Sequence, residues 1–440
     1  MKPSGIFSTR RTFFRTLTAI PLLAACAAEE LAAKAKSALG KGSSADIYRR
    51  IGVRPLINAR GTWTYLSGSL ELPAVREAKQ KAAMHFVDIF ELQRAVGRRL
   101  AELSGAEAGL VTSGAAGAMA AATAACIAGT DPKKIWQLPD TTGLPNEVIM
   151  FGGRNAFDSA IRLAGARLVV VHTHEELREA IGPKTAMIYT TALGERLEKA
   201  LAIAKKAGVP LLLDDAAGIP PLENLRRYAK MGVDLYTFSG GKGLCGPQCA
   251  GLLLGRKDLI EAALANCSPW EGAVCRPMKV GKEEIMGMLA AVEAWLESDM
   301  DELYREWRRR VERIATMVET VEGVTTEIQI PEGGNRYPTL TVHWDEEAFG
   351  LTVAECVKQL RDGEPRIEVL SADNPSLVPA VREDTGRPKK AAAEPALRRD
   401  RLQIVSFTLQ PGEDRIVGKR LRAILAAARK AARKPSGVAG

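Results

Sequence analysis

Six short apolar runs, GLVTS, EVIMF, RLVVVH, AMIYTT, VPLLLDD and DLYTFS, alternate with helical patterns between Ala108 and Ser239. None alternates apolar with polar residues, as a strand with one wet face must. They are apolar throughout, as parallel strands covered on both faces are. The segments between them, such as GAAGAMAAATAACIAG, ERLEKALAIAKKAG and ENLRRYAKMG, carry helical spacing. Repeated strand–helix units specify an α/β fold with a doubly wound, mostly parallel sheet. AGLLLG adds one more buried strand, Lys257 to Cys267 reads as helix, and Glu283 to about Thr320 reads as one long helix.

The pattern then changes. TTEIQIP, TLTVHW, TVAECVKQL, IEVLS, LQIVSFTL and a final helix from Asp414 indicate a smaller α+β domain. A chain of 440 residues is too long for one core. The expected division is a large domain over 46–300 and a small C-terminal one over 301–425. Residues 371–400, rich in Pro, Ala and charge, read as a loose insertion, and 426–440 as a basic tail.

In a doubly wound sheet, ligands sit beyond the carboxyl ends of the strands. Three features fall there. TSGAAGA (Thr112 to Ala118) leads a strand into a helix of small residues, whose free N–H groups and positive dipole end suit a phosphate. LLLDDAAGIPP ends an apolar strand on Asp214 and Asp215, a costly place for charge without a cation or donor nearby. SGGKG places Lys242 among Gly240, Gly241 and Gly243, where the missing side chains are expected to make room for a ring close to the backbone. Phosphate site, carboxylate and lysine, in that order, match an aldehyde cofactor with a basic ring nitrogen, pyridoxal phosphate. A desolvated lysine has a lowered pKa, which makes it a nucleophile and a base.

The chain resembles fold-type I pyridoxal phosphate enzymes of the group around selenocysteine synthase and D-glucosaminate-6-phosphate ammonia-lyase. The resemblance spans roughly Ile51 to Leu296 and rests on INARGTWTYLSGS, LSGAEAGLVTSGAAGA, QLPDTTG, RNAFDSAIRLAGAR, DDAAGIPPLENLRR, SGGKGLCGPQCAGLLLGRKDLI and RPMKVGKEEI. It implies that Lys242 forms the Schiff base and that Ser239 binds the cofactor phosphate alongside Ser113, Gly114 and Ala115. Asp214 is implied as partner of the pyridine nitrogen, because DDAAGIPP aligns without gaps onto the family's DAAAELPP; Asp215 is the alternative. Ala216 then packs under the ring. Lys279 and Lys282 of MKVGK are candidates for an anionic part of the substrate or for the partner subunit's cofactor. Arg60, Thr62 and Arg154 are candidates for a substrate carboxylate or a phosphate. Fold-type I sites are generally completed across an interface, which implies a homodimer or larger assembly. Three positions depart from the family pattern: Gly153 stands where histidine is common, Gly218 where glutamate is expected, and Cys245 where a basic residue is.

The resemblance implies an ammonia-lyase type of α,β-elimination on an amino acid or amino-sugar acid. The alternative is selenium transfer onto seryl-tRNA, and a non-catalytic binding protein of this fold stays open. Ser239-Gly-Gly-Lys242 also matches the S-x-x-K of serine hydrolases, but no S-D-N or K-T-G lies downstream.

The net charge of +9 is concentrated in terminal and late runs such as STRRTFFR and ARKAARKPSG. With 5% aromatics and no basic stretch interleaved with them, nucleic-acid binding is not expected. The four histidines and seven cysteines show no metal-ligand spacing; His172 and His174 read as loop residues and the cysteines as small hydrophobes. Residues 1–30 read as an export leader: Arg10-Arg11 opens a twin-arginine-like signal, and LAAC ending at Cys26 resembles a lipidation box that would anchor the protein to a membrane. The expected location is outside the cytoplasm, or the cytoplasm if the leader does not act.

Overall fold

The apolar runs assemble into one seven-stranded sheet. Strands are numbered in chain order from β1 (Leu56–Ala59), and the sheet runs β2 (Ala108–Thr112), β8 (Gly251–Gly255), β7 (Leu235–Ser239), β6 (Leu211–Asp214), β5 (Thr185–Thr190), β3 (Glu147–Phe151), β4 (Arg167–Val171). This is a computed structural model, and it describes residues 46–371 and 401–433. The expected leader with Cys26, nearly all of the insertion 371–400, and residues 434–440 lie outside these. The short helix Asp46–Arg49 belongs to an N-terminal unit ending at Leu56, and a second unit starts at Ile57.

Neighbours from β7 through β4 run parallel, whereas β8 is antiparallel to both β2 and β7. β2 therefore points the same way as β7, and the carboxyl ends of β2, β6 and β7 share one edge. In register along that edge, Thr112 faces Gly251, Gly251 faces Ser239, and Asp214 faces Thr237. With strands about 4.8 Å apart, the three sequence features lie side by side.

Side-chain alternation divides the sheet. Leu212, Leu235, Leu253 and Tyr189 pack against the helices Gly114–Ala128 and Lys257–Ala265. Leu211, Leu213, Ile188 and Leu254 face the helices Ile89–Ser104 and Lys282–Leu296. Each fully buried leucine contributes about 2 kcal/mol. The Gly114 helix is nearly all alanine and glycine, which lets it lie close on the sheet with small residues buried all round it.

A second core gathers Ile57 and Ala59 of β1 and its sheet partner β11 (Arg366–Val369) with the helices Met300–Val318, Val353–Asp362 and Glu413–Ala432 and the three-stranded antiparallel sheet β12 (Leu402–Val405), β10 (Thr339–His343), β9 (Thr325–Gln329). Two sequence expectations are corrected here. The single helix from Glu283 to Thr320 is two, Lys282–Leu296 and Met300–Val318, because the Asp299 side chain accepts the N–H of Glu302 and caps a new helix. The first part of the expected basic tail is helical through Ala432, continuing a helix anchored by Val417, Leu421, Ile424 and Leu425. Among the described residues no helix is long and apolar enough to cross a membrane.

Candidate active site

The lysine loop is fixed from within and without. Inside it, Gly240 N donates to Ala250 O at 2.8 Å, Gly246 N to Gly240 O at 2.9 Å, and Cys245 N to Lys242 O at 3.0 Å. From outside, Ser69 N donates to Gly241 O at 2.9 Å, Leu72 N to Cys245 O at 3.0 Å, and Trp295 Nε1 to Leu244 O at 2.8 Å. The glycines answer to this packing, which corrects the sequence expectation. A Cβ on Gly240 would meet Pro247 O at 2.6 Å, one on Gly241 would meet Gln248 Cα at 2.7 Å, and one on Gly243 would meet Ile219 O at 1.7 Å. They make room for the protein's own backbone, and that tight fold is what aims Lys242.

Burial lowers the proton affinity of Lys242, while the charges of Asp214 and Asp215 raise it. Its ammonium lies 5.8 Å from the ring centroid of Phe157, an aromatic that is 55% exposed. Phe157 lies inside RNAFDSAIRL, where nothing in the sequence distinguishes it from a core aromatic. Its ring stands near the lysine although Gly153, three residues after Met150, offers none. Cys245, the other departure in this loop, has a buried thiol pushed up to about 12 and is no nucleophile.

The two aspartates separate onto opposite faces. Asp214 Oδ2 accepts from the Tyr189 hydroxyl at 2.8 Å, Tyr189 accepts from Asn155 Nδ2 at 2.9 Å, and Asp214 Oδ1 accepts from Ala216 N at 3.2 Å. Burial and the Asp214 charge hold Tyr189 protonated, so it serves as donor. This is the face that carries the Gly114 helix. Asp215 turns to the other face, where its Oδ2 accepts from the Tyr228 hydroxyl at 2.5 Å. Tyr189 and Tyr228 were missed in the sequence because a tyrosine in an apolar strand or helix reads as core, and Asn155 because an asparagine after a strand reads as a turn residue.

At the third feature, Ser113 is the N-cap of the Gly114 helix but makes no side-chain capping bond, and Gly114 turns the chain with φ +68°. A Cβ on Gly251 would lie 2.5 Å from the Gly114 carbonyl carbon, so the helix start rests directly on β8. Ser113 and Ser239 are partly exposed, and the buried Thr237 hydroxyl between Asp214 and Ser239 has no partner. Free first-turn N–H groups and serine hydroxyls as donors, with a carboxylate acceptor and an amine farther along the edge, suit one ligand bearing a phosphate, a basic nitrogen and a carbonyl.

The remaining candidates divide. Thr62 donates to Asn335 Oδ1 at 3.4 Å, and Asn335 N donates to Ala217 O at 3.1 Å, which ties Thr62 to the Asp214 turn. Arg60 is only 4% exposed, bonded to the Tyr65 hydroxyl and flanked by the Trp63 ring, with Nε unpartnered; burial brings its guanidinium down to about 10. Arg154 is committed to buried Asp158. Lys279 is exposed, and Lys282 pairs with Glu283 at the head of the helix Lys282–Leu296. Neither lysine sits at the strand ends. His174 opens a helix instead of lying in a loop, its Nε2 3.1 Å from Arg196 O. No group of three or more metal-ligating side chains occurs among the described residues.

Comparison with known proteins gives this geometry a family. Residues 164–280 match the aminotransferase class-V family. The chain is 32% identical over 345 residues to 5'-C-glycyluridine monooxygenase-decarboxylase of Streptomyces sp, covering 74% of this chain and 84% of that one. It is 30% identical over 336 residues to D-glucosaminate-6-phosphate ammonia lyase of Salmonella typhimurium, covering 72% and 88%. The chain belongs to the pyridoxal phosphate-dependent family of this ammonia lyase. A solved D-glucosaminate-6-phosphate ammonia-lyase structure superposes with a TM-score of 0.72 at 28% identity, covering 87% of this chain and 98% of that one. L-seryl-tRNA(Sec) selenium transferase of Moorella thermoacetica is 28% identical, and the match covers 60% of its length. The fold is thus fold type I, the cofactor is pyridoxal phosphate, and the chain is an enzyme of that family.

Proposed function

We propose that this enzyme is a lyase that releases ammonia from an anionic amino acid or amino-sugar acid, with Lys242 as the catalytic lysine. The observation that carries the reading is the single edge on which Thr112, Ser239 and Asp214 end their strands, so that the head of the Gly114 helix, the loop of half-buried Lys242 and the Asp214 turn leave the sheet side by side. Ser113, Gly114, Ala115 and Ser239 would hold the cofactor phosphate, and Asp214, oriented by Tyr189, would hold its ring nitrogen, with Ala216 beneath the ring. When bound, pyridoxal phosphate withdraws electrons from the substrate's α-carbon. Lys242, its proton affinity lowered by burial, takes the α-proton and can return it to the β-substituent as the bond from that group to the β-carbon breaks; water then hydrolyses the released enamine to a keto acid and ammonia. Arg60 and Thr62, on the loop tied to the Asp214 turn, are the candidates for the substrate's acid group.

The test is ammonia and keto-acid release by cofactor-loaded protein from a panel of amino-sugar acids and β-substituted amino acids. Release abolished by Lys242→Ala supports the reading; no release from any of them overturns it. The similarity to the monooxygenase-decarboxylase favours a second reading, oxidative decarboxylation, which the same assays separate by oxygen uptake and carbon dioxide release. Selenium transfer is the third, distinguished by a seryl-tRNA binding assay.

We infer also that the enzyme is a homo-oligomer. Leu70, Met84, Phe86 and Val87 are exposed apolar residues, Phe86 fully, beside a groove lined by Ala78, Lys282 and Met286. A second copy seated there would cover them and bring the Lys282 region into the assembly. Sedimentation as a monomer at micromolar concentration would refute this.

A further inference from the structure

Cys267 and Cys275 face each other across a backbone bridge. The two residues pair as an isolated parallel β-bridge, and Cys275 N donates to Asn266 O at 3.2 Å. Residues paired in this way have Cα atoms roughly 4.8 Å apart and side chains on one side of the backbone, inside the range of about 4.4–6.8 Å that a disulfide spans. Both thiols are free, Cys275 buried and Cys267 half-buried. A hydrogen bond with the Cys275 thiol, and then burial, pushes the Cys267 thiol well above its ordinary value, which agrees with two sulfurs in contact. Eight positions apart and in no C-x-x-C, the pair reads in the sequence as two separate small hydrophobes.

The fold holds both ends of the intervening loop. Cys267 N donates to Leu264 O at 3.2 Å, at the end of the helix Lys257–Ala265, and Met278 N donates to Cys275 O at 2.9 Å. Asn266, between that helix and the bridge, is fully buried, and its Nδ2 donates to Gly129 O at 3.0 Å. Within the loop, the Trp270 ring lies 4.7 Å from that of Phe90, and a Cβ on Gly272 would meet Trp136 at 2.2 Å. The two sulfurs are therefore brought together by backbone that is already anchored. Cys126, on the helix Gly114–Ala128, belongs to the same apolar cluster and is the rival partner.

We propose that Cys267 and Cys275 form a redox modification site, a dithiol that closes to a disulfide in the folded chain. The oxidant is a second disulfide, carried by a small thiol compound or by a thiol–disulfide exchange protein. Cys267, the more exposed of the two, gives up its proton and attacks one sulfur of the oxidant, whose S–S bond breaks as one thiol leaves. Cys275 then gives up its proton and attacks Cys267 Sγ, and the second thiol leaves. Two protein thiols are oxidised, one disulfide is reduced to two thiols, and the two protons end on the departing sulfurs. The bond ties the end of the helix Lys257–Ala265 to the segment that leads to Lys279 and Lys282. Neither cysteine lies on the proposed catalytic edge, so the inference stands apart from the lyase reading. Disulfides persist in oxidising compartments, and the leader read from the sequence would carry the chain to one.

The experiment incubates the folded full chain with oxidised glutathione, and in parallel with dithiothreitol, then blocks free thiols and digests without reduction. Cleavage after Glu271 separates the two cysteines, so the oxidised chain should yield their peptides joined until a reductant is added. Oxidation should also raise the melting temperature by about 3 °C, because the closed loop restrains the unfolded chain. Cys267→Ser and Cys275→Ala should each lose the linked peptide and the shift. Should either variant fail to fold, the wild-type digest decides alone. Thiols that stay free, or a product that stops at glutathione on Cys267, would overturn the proposal. So would Cys126 in the linked peptide, or a link that forms only in denatured protein. An oxidised chain that melts below the reduced one would show that the folded backbone does not accept the bond.

Discussion

The Tyr189 hydroxyl donates to Asp214 Oδ2 across 2.8 Å from the neighbouring parallel strand, one strand in from the carboxylate it steadies. Asp214 ends β6 and Tyr189 lies one residue before the end of β5, on the same face, so strand pairing alone brings them together. The carboxylate is thereby oriented by its own sheet.

Tyr189→Phe removes that donor and leaves the ring packed. Loss of one hydrogen bond to a charged group costs about 2 kcal/mol. Pyridoxal phosphate should bind roughly tenfold or more weakly. Spectrophotometric titration of cofactor-free protein measures it; unchanged affinity would mean that Asp214 holds its place without Tyr189.

Gly251→Ala places a methyl 2.5 Å from the backbone at the head of the Gly114 helix. Both sides are main chain, so the contact cannot be relieved by a rotamer. We expect a loss of about 1–3 kcal/mol of stability from overpacking. Cofactor phosphate affinity should fall as well, because the first-turn N–H groups shift. Melting curves with and without pyridoxal phosphate separate the two effects: the ligand-induced stabilisation should shrink in the variant.

Export is testable on the leader alone. Replacing Arg10 and Arg11 with lysine keeps the charge while removing the paired arginines. A twin-arginine-dependent protein then accumulates in the cytoplasm, read by fractionation and immunoblot. Equal export of both forms would exclude that route, and a Cys26→Ala variant that remains in the membrane fraction would exclude lipidation.

The sheet and the order of phosphate site, carboxylate and lysine were legible because apolar strands must end somewhere, and charge at those ends needs a reason. What the sequence concealed was local. Asp214 and Asp215 are adjacent in sequence and the β alternation sends them to opposite faces; the motif pointed to Asp214 but left Asp215 open, because it does not say where β6 stops. Gly240, Gly241 and Gly243 looked like space for a ligand, but a close approach by Pro247, Gln248 and Ile219 demands glycine in the same way. Phe157 and Tyr189 escaped notice because their types are common in cores. The break at Asp299 was hidden because apolar spacing continues on both sides of it.

Lys242 also leaves a signature in stability. Burial lowers its folded pKa below the ordinary lysine value of the unfolded chain, and the two aspartates offset only part of that. Below the folded pKa both states carry the proton, and folding bears the full cost of a buried charge. Between the folded pKa and 10.5 the unfolded chain binds more protons than the folded one, so stability rises with pH through that window. Above 10.5 both are neutral and the penalty is gone. Lys242→Met removes the titration. In cofactor-free protein the variant should therefore melt higher than wild type at pH 7, with the gap closing as pH approaches 10. Thermal melts of both proteins across that range measure it. A gap that stayed constant with pH would show that Lys242 carries no burial penalty, and its proposed readiness to act as a base would lose its physical cause.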